Sequence, residues 1–253
     1  MKNLLFILVS TLSGCFLFGQ TISTEAPSMT NSSVTVTKNT LQFENRFEWA
    51  RNEGSNSIIL PFTLVRFGLN KHFELRASNL IQTDSFGKLQ LQRPQIGVKY
   101  ALFESGSSNT NIGVITHFTI PFIDSNNDPS FSGWNALALS QNLGEKHQLA
   151  TNIILNWNRG PSNSNPKSIF NYLTSLCYTY QPNDNFSVFG EGYFSWTNYI
   201  YGPTDLQLSN GETVSVDFGV AYLLRDNIQL SYTFGAGMNR NNRFQSIGFD
   251  IAL

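Results

Sequence analysis

The sequence predicts an all-β protein, namely an antiparallel transmembrane β-barrel of about 12 strands, of the outer-membrane type. Three observations predict it. Only 13% of the 253 residues are charged, against roughly 25% in ordinary soluble proteins. Segments with strand character recur along the chain, and several of them alternate apolar with polar residues. The connections between these segments alternate between short turns and longer polar loops, as in outer-membrane barrels.

The alternation is clearest in the segment HFELR. Phe73 and Leu75 fall on one face of a strand and Glu74 and Arg76 on the other, because successive side chains of a strand point to opposite faces. In a barrel the apolar face meets lipid and the ionic face meets a wet lumen. A soluble β-sandwich is the alternative, and it would bury the apolar face and expose the charged one to water.

The chain begins with a predicted signal peptide, residues 1–20. One lysine precedes an apolar run from Leu4 to Phe18, which is typical of secretory signals. Export by this signal, together with the predicted barrel, predicts that the protein lies in the bacterial outer membrane. A competing reading is that Leu12-Ser13-Gly14-Cys15 resembles a lipobox with Cys15 acylated. Cleavage near Gly19 or Gln20 is the favoured interpretation.

The composition of the mature chain excludes several classes of protein. Without Lys2, the chain has 15 Lys and Arg against 17 Asp and Glu, so its composition predicts no basic surface to attract nucleic acid. Cys177 is then the single cysteine, which rules out an internal disulfide. No later stretch reaches the ~20 apolar residues of a membrane-spanning helix. Any crossing of a membrane is therefore made by strands.

Residues 21–39 are rich in Ser and Thr and are predicted to form an extended periplasmic leader. The barrel follows at 40–253, and most of its strands are near the 9–11 residues that a tilted strand needs to cross a bilayer. The twelve predicted strands cover about 40–50, 57–67, 72–82, 94–103, 111–122, 134–143, 147–157, 169–180, 186–196, 213–224, 228–238 and 244–253.

The predicted connections fall into two groups. Mostly longer polar loops alternate with the short turns, and an even strand number returns both chain ends to the periplasm. The short turns lie at 68–71, 144–146, 181–185 and 225–227, with a somewhat longer one at 104–110. This arrangement predicts turns on the periplasmic side and longer loops outside the cell.

Several short motifs stand in a fixed order along the mature chain. They are Thr24-Glu25-Ala26-Pro27 in the leader, Gln42-Phe43-Glu44, the run Leu60-Pro61-Phe62-Thr63-Leu64-Val65-Arg66-Phe67-Gly68-Leu69, Glu74-Leu75-Arg76, Gly97-Val98-Lys99-Tyr100, Phe189-Gly190-Glu191 and Asp217-Phe218-Gly219-Val220-Ala221-Tyr222-Leu223-Leu224. In these motifs the chain resembles the outer-membrane transporters named for the MetA pathway of phenol degradation. The resemblance covers essentially the whole mature chain.

The resemblance implies a transporter or channel that passes small, hydrophobic or aromatic molecules. The partners expected on this interpretation are outer-membrane lipid, such a solute and the outer-membrane assembly machinery. We expect a monomer with no cofactor. A non-transporting structural or adhesion barrel is the first alternative, and an outer-membrane enzyme that acts on lipid is the second.

Nine charged residues on predicted polar faces are candidates for lining the lumen. They carry both signs, which disfavours a strongly ion-selective pore. Two roles remain open for them, either a selectivity ladder or the bracing of a narrow lumen, since small barrels are packed inside. They are Glu44, Arg46, Glu48, Arg66, Glu74, Arg76, Lys99, Glu191 and Asp217.

The candidates for catalysis and metal binding are weak. His72 and His147 each begin a strand after a short turn, and His117 lies in mid-strand where it is expected to face the lumen. No nucleophile motif accompanies them, so no catalytic residue is predicted. Asp124, Asn126 and Asp128 have the spacing of a calcium loop but lack its glycine and distal glutamate. A solvated loop without metal is the interpretation adopted.

Overall fold

The computed structural model shows a closed antiparallel β-barrel built from twelve long strands. It describes residues 22, 24–25, 29–52, 55–83, 87–104, 109–120, 131–159, 168–200, 206–208, 212–239 and 241–253. The strands are β1 (Leu41–Asn52), β2 (Ser55–Gly68), β3 (Phe73–Thr83), β4 (Leu89–Leu91), β5 (Gln95–Glu104), β6 (Thr110–Thr119), β7 (Phe131–Asn142), β8 (His147–Arg159), β9 (Ser168–Asn183), β10 (Phe186–Ile200), β11 (Leu206–Leu208), β12 (Thr213–Arg225), β13 (Ile228–Gly237) and β14 (Asn242–Ala252).

The twelve long strands pair with their neighbours all the way round the barrel. β1 pairs with β14, and β9 pairs with β10, so the sheet has no open edge between long strands. The short strands β4 and β11 pair with β3 and β10 respectively, inside two of the predicted loops. The predicted fold and its twelve strands are confirmed, and the sandwich alternative is wrong.

The two faces of the wall follow the sequence alternation. On β3, Phe73 and Leu75 are 45% and 44% exposed on the outer face, whereas Glu74 and Arg76 are 0% and 4% exposed on the inner face. An apolar outer surface and a charged interior suit lipid outside and a lumen inside. No helix in the described ranges has the length and apolarity to cross a bilayer.

The leader lies inside the barrel rather than outside it. Near its start, the Ile22 N–H donates to the Asp226 carbonyl at a short turn, 3.1 Å away. Near its end, Lys38 forms a parallel bridge with Gly68 at another short turn. Between these points the described leader residues lie among inward side chains, and Ser33 is buried. The sequence analysis predicted a periplasmic position for this segment. In the structure, hydrogen bonds and ion pairs with buried side chains of the wall hold it in the lumen.

Two glycines of the wall allow this close approach. A Cβ on Gly113 would lie 2.5 Å from the Ser33 carbonyl oxygen, and a Cβ on Gly68 would overlap the Thr37 carbonyl. Both obstacles are backbone atoms, which cannot rotate away as a side chain can. A side chain at either position would therefore push the leader off the wall.

Other predictions fall on residues outside the described ranges. These are the signal peptide at 1–20 with the alternative lipid site Cys15, and the loop from Asp124 to Asp128. They stay predictions. Cys177 is described, and it is a buried free thiol.

Candidate functional site

Inward side chains of four neighbouring strands and one leader residue form a charge cluster in the lumen. In the strand register, Arg66 lies directly opposite Arg76, and Glu74 lies opposite Lys99. Two adjacent guanidinium groups repel each other unless carboxylates come between them. The cluster consists of Glu25 from the leader and Glu44, Arg66, Glu74, Arg76 and Lys99 from the wall.

Arg66 is the centre of this charge cluster on the wall side. Its Nε and Nη2 donate to the two carboxylate oxygens of Glu74 at 2.8 and 2.9 Å. Its Nη1 donates to Glu44 Oε1 at 2.8 Å. The fork of donors on a guanidinium matches a carboxylate in this two-point geometry. Arg66 thus joins three strands through fully buried charges.

Glu25 completes the cluster from the leader side. Arg76 Nη1 and Nη2 donate to its two oxygens at 2.8 and 3.0 Å, and Lys99 Nζ also donates to Oε1. Burial alone would raise the pKa of the Glu25 carboxyl, but the charges of the surrounding cations outweigh burial and hold that pKa well below its ordinary value. Through Glu25, the leader therefore supplies a carboxylate that balances the buried cations of the wall.

The leader backbone adds further bonds to the same part of the wall. Lys99 Nζ donates to the Val34 carbonyl at 3.0 Å, and the Val36 N–H donates to Glu74 Oε2 at 2.8 Å. Backbone groups buried in a lumen need such partners, because an unpaired one is costly. The leader is thereby bonded to β5 at Val34 and to β3 at Val36.

A second acidic group lies on β10 and β12. Glu191 and Asp217 are cross-strand neighbours on the inner face, and we call them the carboxyl pair. Glu191 accepts hydrogen bonds from the Met29 N–H at 2.7 Å and from the Thr30 hydroxyl. Asp217 is 1% exposed, and neither of its oxygens has a hydrogen-bond partner in the described part of the chain.

The remaining candidates, Arg46 and Glu48, form a looser group on β1. Their charged ends are 3.8 Å apart, and the Arg46 guanidinium lies over the Phe62 ring at 5.3 Å. The nine predicted residues thus all face the lumen, but in three groups: five in the charge cluster, two in the carboxyl pair and these two. Their role in selectivity stays a prediction.

Another part of the inner wall is apolar, which the alternation in β8 did not predict. Ile115, Ala136, Ala138 and Ile154 form a buried cluster on β6, β7 and β8, and Trp134 and Leu173 pack against it. The Trp134 ring stacks on His117 at 4.3 Å between centroids. The lumen is therefore charged on one side and apolar on another.

The three histidines occupy different places. His117 faces the lumen as expected, and its Nε2 accepts a hydrogen bond from Arg76 Nε at 2.9 Å. His147 bonds to the Tyr178 hydroxyl near the turn end of the barrel, and His72 lies beside Tyr100 there. Within the described ranges, none of the three bonds to a serine or threonine hydroxyl, and no three His, Cys, Asp or Glu side chains gather as metal ligands.

Cavities lie on both sides of the leader. The luminal cavity, of about 230 Å³, is lined by charged residues and by the apolar side chains of Met29, Phe62, Leu64, Trp134, Ile154 and Leu173. A polar cavity of similar volume lies on another side of the leader, and Glu25 and Asn31 line both. A third, of about 390 Å³, shares Phe62 and Gln95 with the luminal cavity and extends to Asn158 near the loop end of β8.

Sequence reasoning missed two carboxylates of the lumen. Glu25 was assigned only to the leader. Two signals pointed to the lumen: the leader motif carries an acidic residue, and the three cations of the charge cluster outnumber the two carboxylates Glu44 and Glu74. Asp250 on β14 is fully buried and accepts from Gln229 at 3.5 Å. Its place on the same face of β14 as Ser246 and Gly248 was the available signal.

Comparison with known proteins identifies the family. A model described as "Putative MetA-pathway of phenol degradation" matches residues 24–253. The chain belongs to this family. The match begins at the leader, so the leader is part of what members of the MetA-pathway family share with this chain. Comparison with curated protein sequences gave no match.

Solved outer-membrane proteins share the fold. The COG4313 outer membrane channel from Pseudomonas putida F1 matches at a TM-score of 0.67 and 11% identity, covering 90% of this chain and 100% of that one. The NanC porin matches at 0.56 and 13% identity, covering 83% and 98%. The KdgM porin in complex with disordered oligogalacturonate matches at 0.56 and 10% identity, with the same coverage. At such identities the likeness establishes the barrel architecture alone.

Proposed function

We propose that this member of the MetA-pathway family is a bacterial outer-membrane channel that passes small hydrophobic or aromatic molecules. The observation that carries the proposal is the luminal cavity, whose lining combines six apolar side chains with ten charged or polar residues. Barrel interiors of this class are ordinarily polar, whereas sites for small molecules are mostly apolar with a few placed polar groups. An apolar wall inside the lumen gives such a solute a place to bind.

The geometry offers the solute a route from the loop end. The third cavity borders the luminal cavity at Phe62 and Gln95 and is lined by polar side chains nearer the loops. A solute that enters there moves from polar side chains near the loops to the luminal cavity, which the half-buried Trp134 helps to line. Aromatic solutes gain most from such a surface, because stacking adds to simple burial.

The fold and the family support a proposal for the setting of the barrel. We propose that the barrel is inserted as a monomer by the outer-membrane assembly machinery, with its lipid partners around the apolar outer face. The exposed Phe218 and Leu176 on that face support contact with hydrocarbon. The short turns and both chain ends then face the periplasm.

Uptake by reconstituted protein tests the proposal. Vesicles with lipopolysaccharide in the outer leaflet are compared with and without the protein, using 2-naphthalenemethanol and glucose as solutes. We expect the protein to accelerate entry of the aromatic alcohol more than that of glucose. Trp134→Ala should reduce this gain, whereas Trp157→Ala, which alters a ring near Phe118, should not.

A non-transporting structural barrel is the second candidate, and one observation favours it. The leader crosses the lumen between the luminal cavity and the polar cavity on its other side. A folded barrel that accelerates neither solute would support this candidate and contradict the channel. Correct folding is checked by heat-modifiable gel mobility in the same preparation.

A further inference from the structure

The luminal cavity has a lining residue that the wall does not supply. Met29 belongs to the leader, yet its side chain lines the cavity together with residues of the strands. Its side chain is also 36% exposed although it lies within the barrel. The space into which a solute would bind is therefore bounded on one side by a methionine that enters from the leader.

The backbone at this methionine is fixed by two strands. The Met29 N–H donates to Glu191 Oε2 at 2.7 Å, and the next residue, Thr30, donates its hydroxyl to the same carboxylate. The Asn31 N–H donates to Asn152 Oδ1 at 2.6 Å. Three consecutive leader residues are thus bonded to β10 and β8. The side chain of Met29 is held toward the cavity by these bonds.

We propose that Met29 is a specificity-determining residue that sets the size of the apolar solute accepted by the luminal cavity. The proposal rests on the proposed function, since it concerns the same site. A methionine is unbranched and has three rotatable bonds, so it fills an irregular space and adapts to small differences in a ligand. Removing it enlarges the cavity toward the leader, and a bulkier side chain closes it.

Glu191 is the positioning residue in this proposal. Its carboxylate touches the leader backbone and not the cavity, because the residues lining the cavity include Met29 but not Glu191. Loss of its two bonds should let Met29 move, so that the cavity discriminates less by size. Glu191→Met keeps the approximate volume of the side chain but removes both acceptor oxygens, so it tests the hydrogen bonds without creating a large void.

The test measures binding of one-ring and two-ring alcohols to the full-length mature protein. Protein in nanodiscs is dialysed to equilibrium against benzyl alcohol or 2-naphthalenemethanol, and binding to empty nanodiscs is subtracted. Met29→Ala should raise the affinity for the two-ring alcohol relative to the one-ring alcohol by roughly tenfold, the scale on which apolar pockets separate ligands by size. Met29→Trp should shift the ratio the other way.

The controls separate this inference from the proposed function. Met238→Ala, at a 68% exposed methionine that follows β13, should leave the ratio unchanged, and Glu191→Met should move it toward one. A wild-type protein that binds neither alcohol contradicts the proposed function. A wild-type protein that binds both, with the same ratio in Met29→Ala and Met29→Trp, overturns the role of Met29 alone.

Discussion

The lumen holds its leader through two regions with different charge balance. In the charge cluster, three carboxylates face three cations, and each cation has a carboxylate within 3 Å. In the carboxyl pair, Glu191 and Asp217 lie side by side, and the leader donates two hydrogen bonds to Glu191. The leader therefore has two roles. It supplies a carboxylate to the charge cluster, and it supplies hydrogen-bond donors to the carboxyl pair.

This contrast has an energetic meaning. A buried charge is costly when unpaired, and breaking a buried ion pair by removing one partner usually destabilises strongly. The charge cluster should therefore be sensitive to the loss of any member. The carboxyl pair sets two acidic side chains side by side, so the stability of the protein should be unchanged or slightly higher when one of them is replaced.

The largest effect is expected at the centre of the charge cluster. Arg66→Met leaves Glu44 and Glu74 without their main partner and should lower the free energy of unfolding by about 3–5 kcal/mol. Urea titration followed by heat-modifiable gel mobility measures it. Arg225→Met, at an exposed arginine beside a turn, is the matched control and should stay within about 0.5 kcal/mol. Similar losses in both would refute the central role of Arg66.

A double-mutant cycle identifies the partner of Arg76. Arg76 makes two bonds to Glu25 and one, at 3.2 Å, to Glu74, which lies two residues away on the same face. The coupling free energy of Arg76 with Glu25 should lie within about 0.5–3 kcal/mol and exceed that with Glu74. A larger coupling with Glu74 would mean that the leader is not docked as described.

Replacing a member of the carboxyl pair should not lower stability, in contrast to replacing a member of the charge cluster. Asp217→Asn replaces one of two acidic side chains that lie directly across from each other on neighbouring strands. Such pairs are destabilising by up to about 1 kcal/mol, so the variant should be as stable as the wild type or slightly more stable. Glu74→Gln in the charge cluster is the comparison and should destabilise. If both variants lose stability equally, the two regions do not differ as proposed.

The smallest effect is a dependence on pH that belongs to the charge cluster. Since the pKa of Glu25 is lowered in the folded protein, its contribution to stability is complete above the ordinary glutamate value of 4.5 and is lost as the pH falls through the lowered pKa. The stability difference between the wild type and Glu25→Gln should be constant from neutral pH to about 5 and should shrink in stronger acid. A difference that shrinks already between pH 7 and 5 would contradict the ionised docking of Glu25.

The barrel could be predicted from the sequence because its signal is local. Alternation with a period of two assigns Phe73 and Glu74 to opposite faces without any knowledge of the neighbouring strands. The same local rule placed all nine charged candidates on the inner face. It failed for the lumen's apolar patch, because Ile154 lies in a run with apolar residues on both faces.

The position of the leader was not accessible to the same reasoning. Its segment has no periodic pattern, and its bonds join residues far apart in the chain: Glu25 to Arg76 across 51 positions, and Met29 to Glu191 across 162. Polarity and high Ser and Thr content fit an exposed segment equally well. A polar segment inside a polar lumen therefore has the same composition as one in water.

The spread of the leader's contacts sets the order in which the molecule can assemble. Glu74, Asn152 and Glu191 lie on β3, β8 and β10, which come together around a single space only when the barrel has closed between β1 and β14. Contacts between residues so distant in sequence form late, because the chain must first lose the entropy of the intervening loops. The leader precedes every strand in the chain but should reach its final place after all of them, so its docking marks a completed barrel.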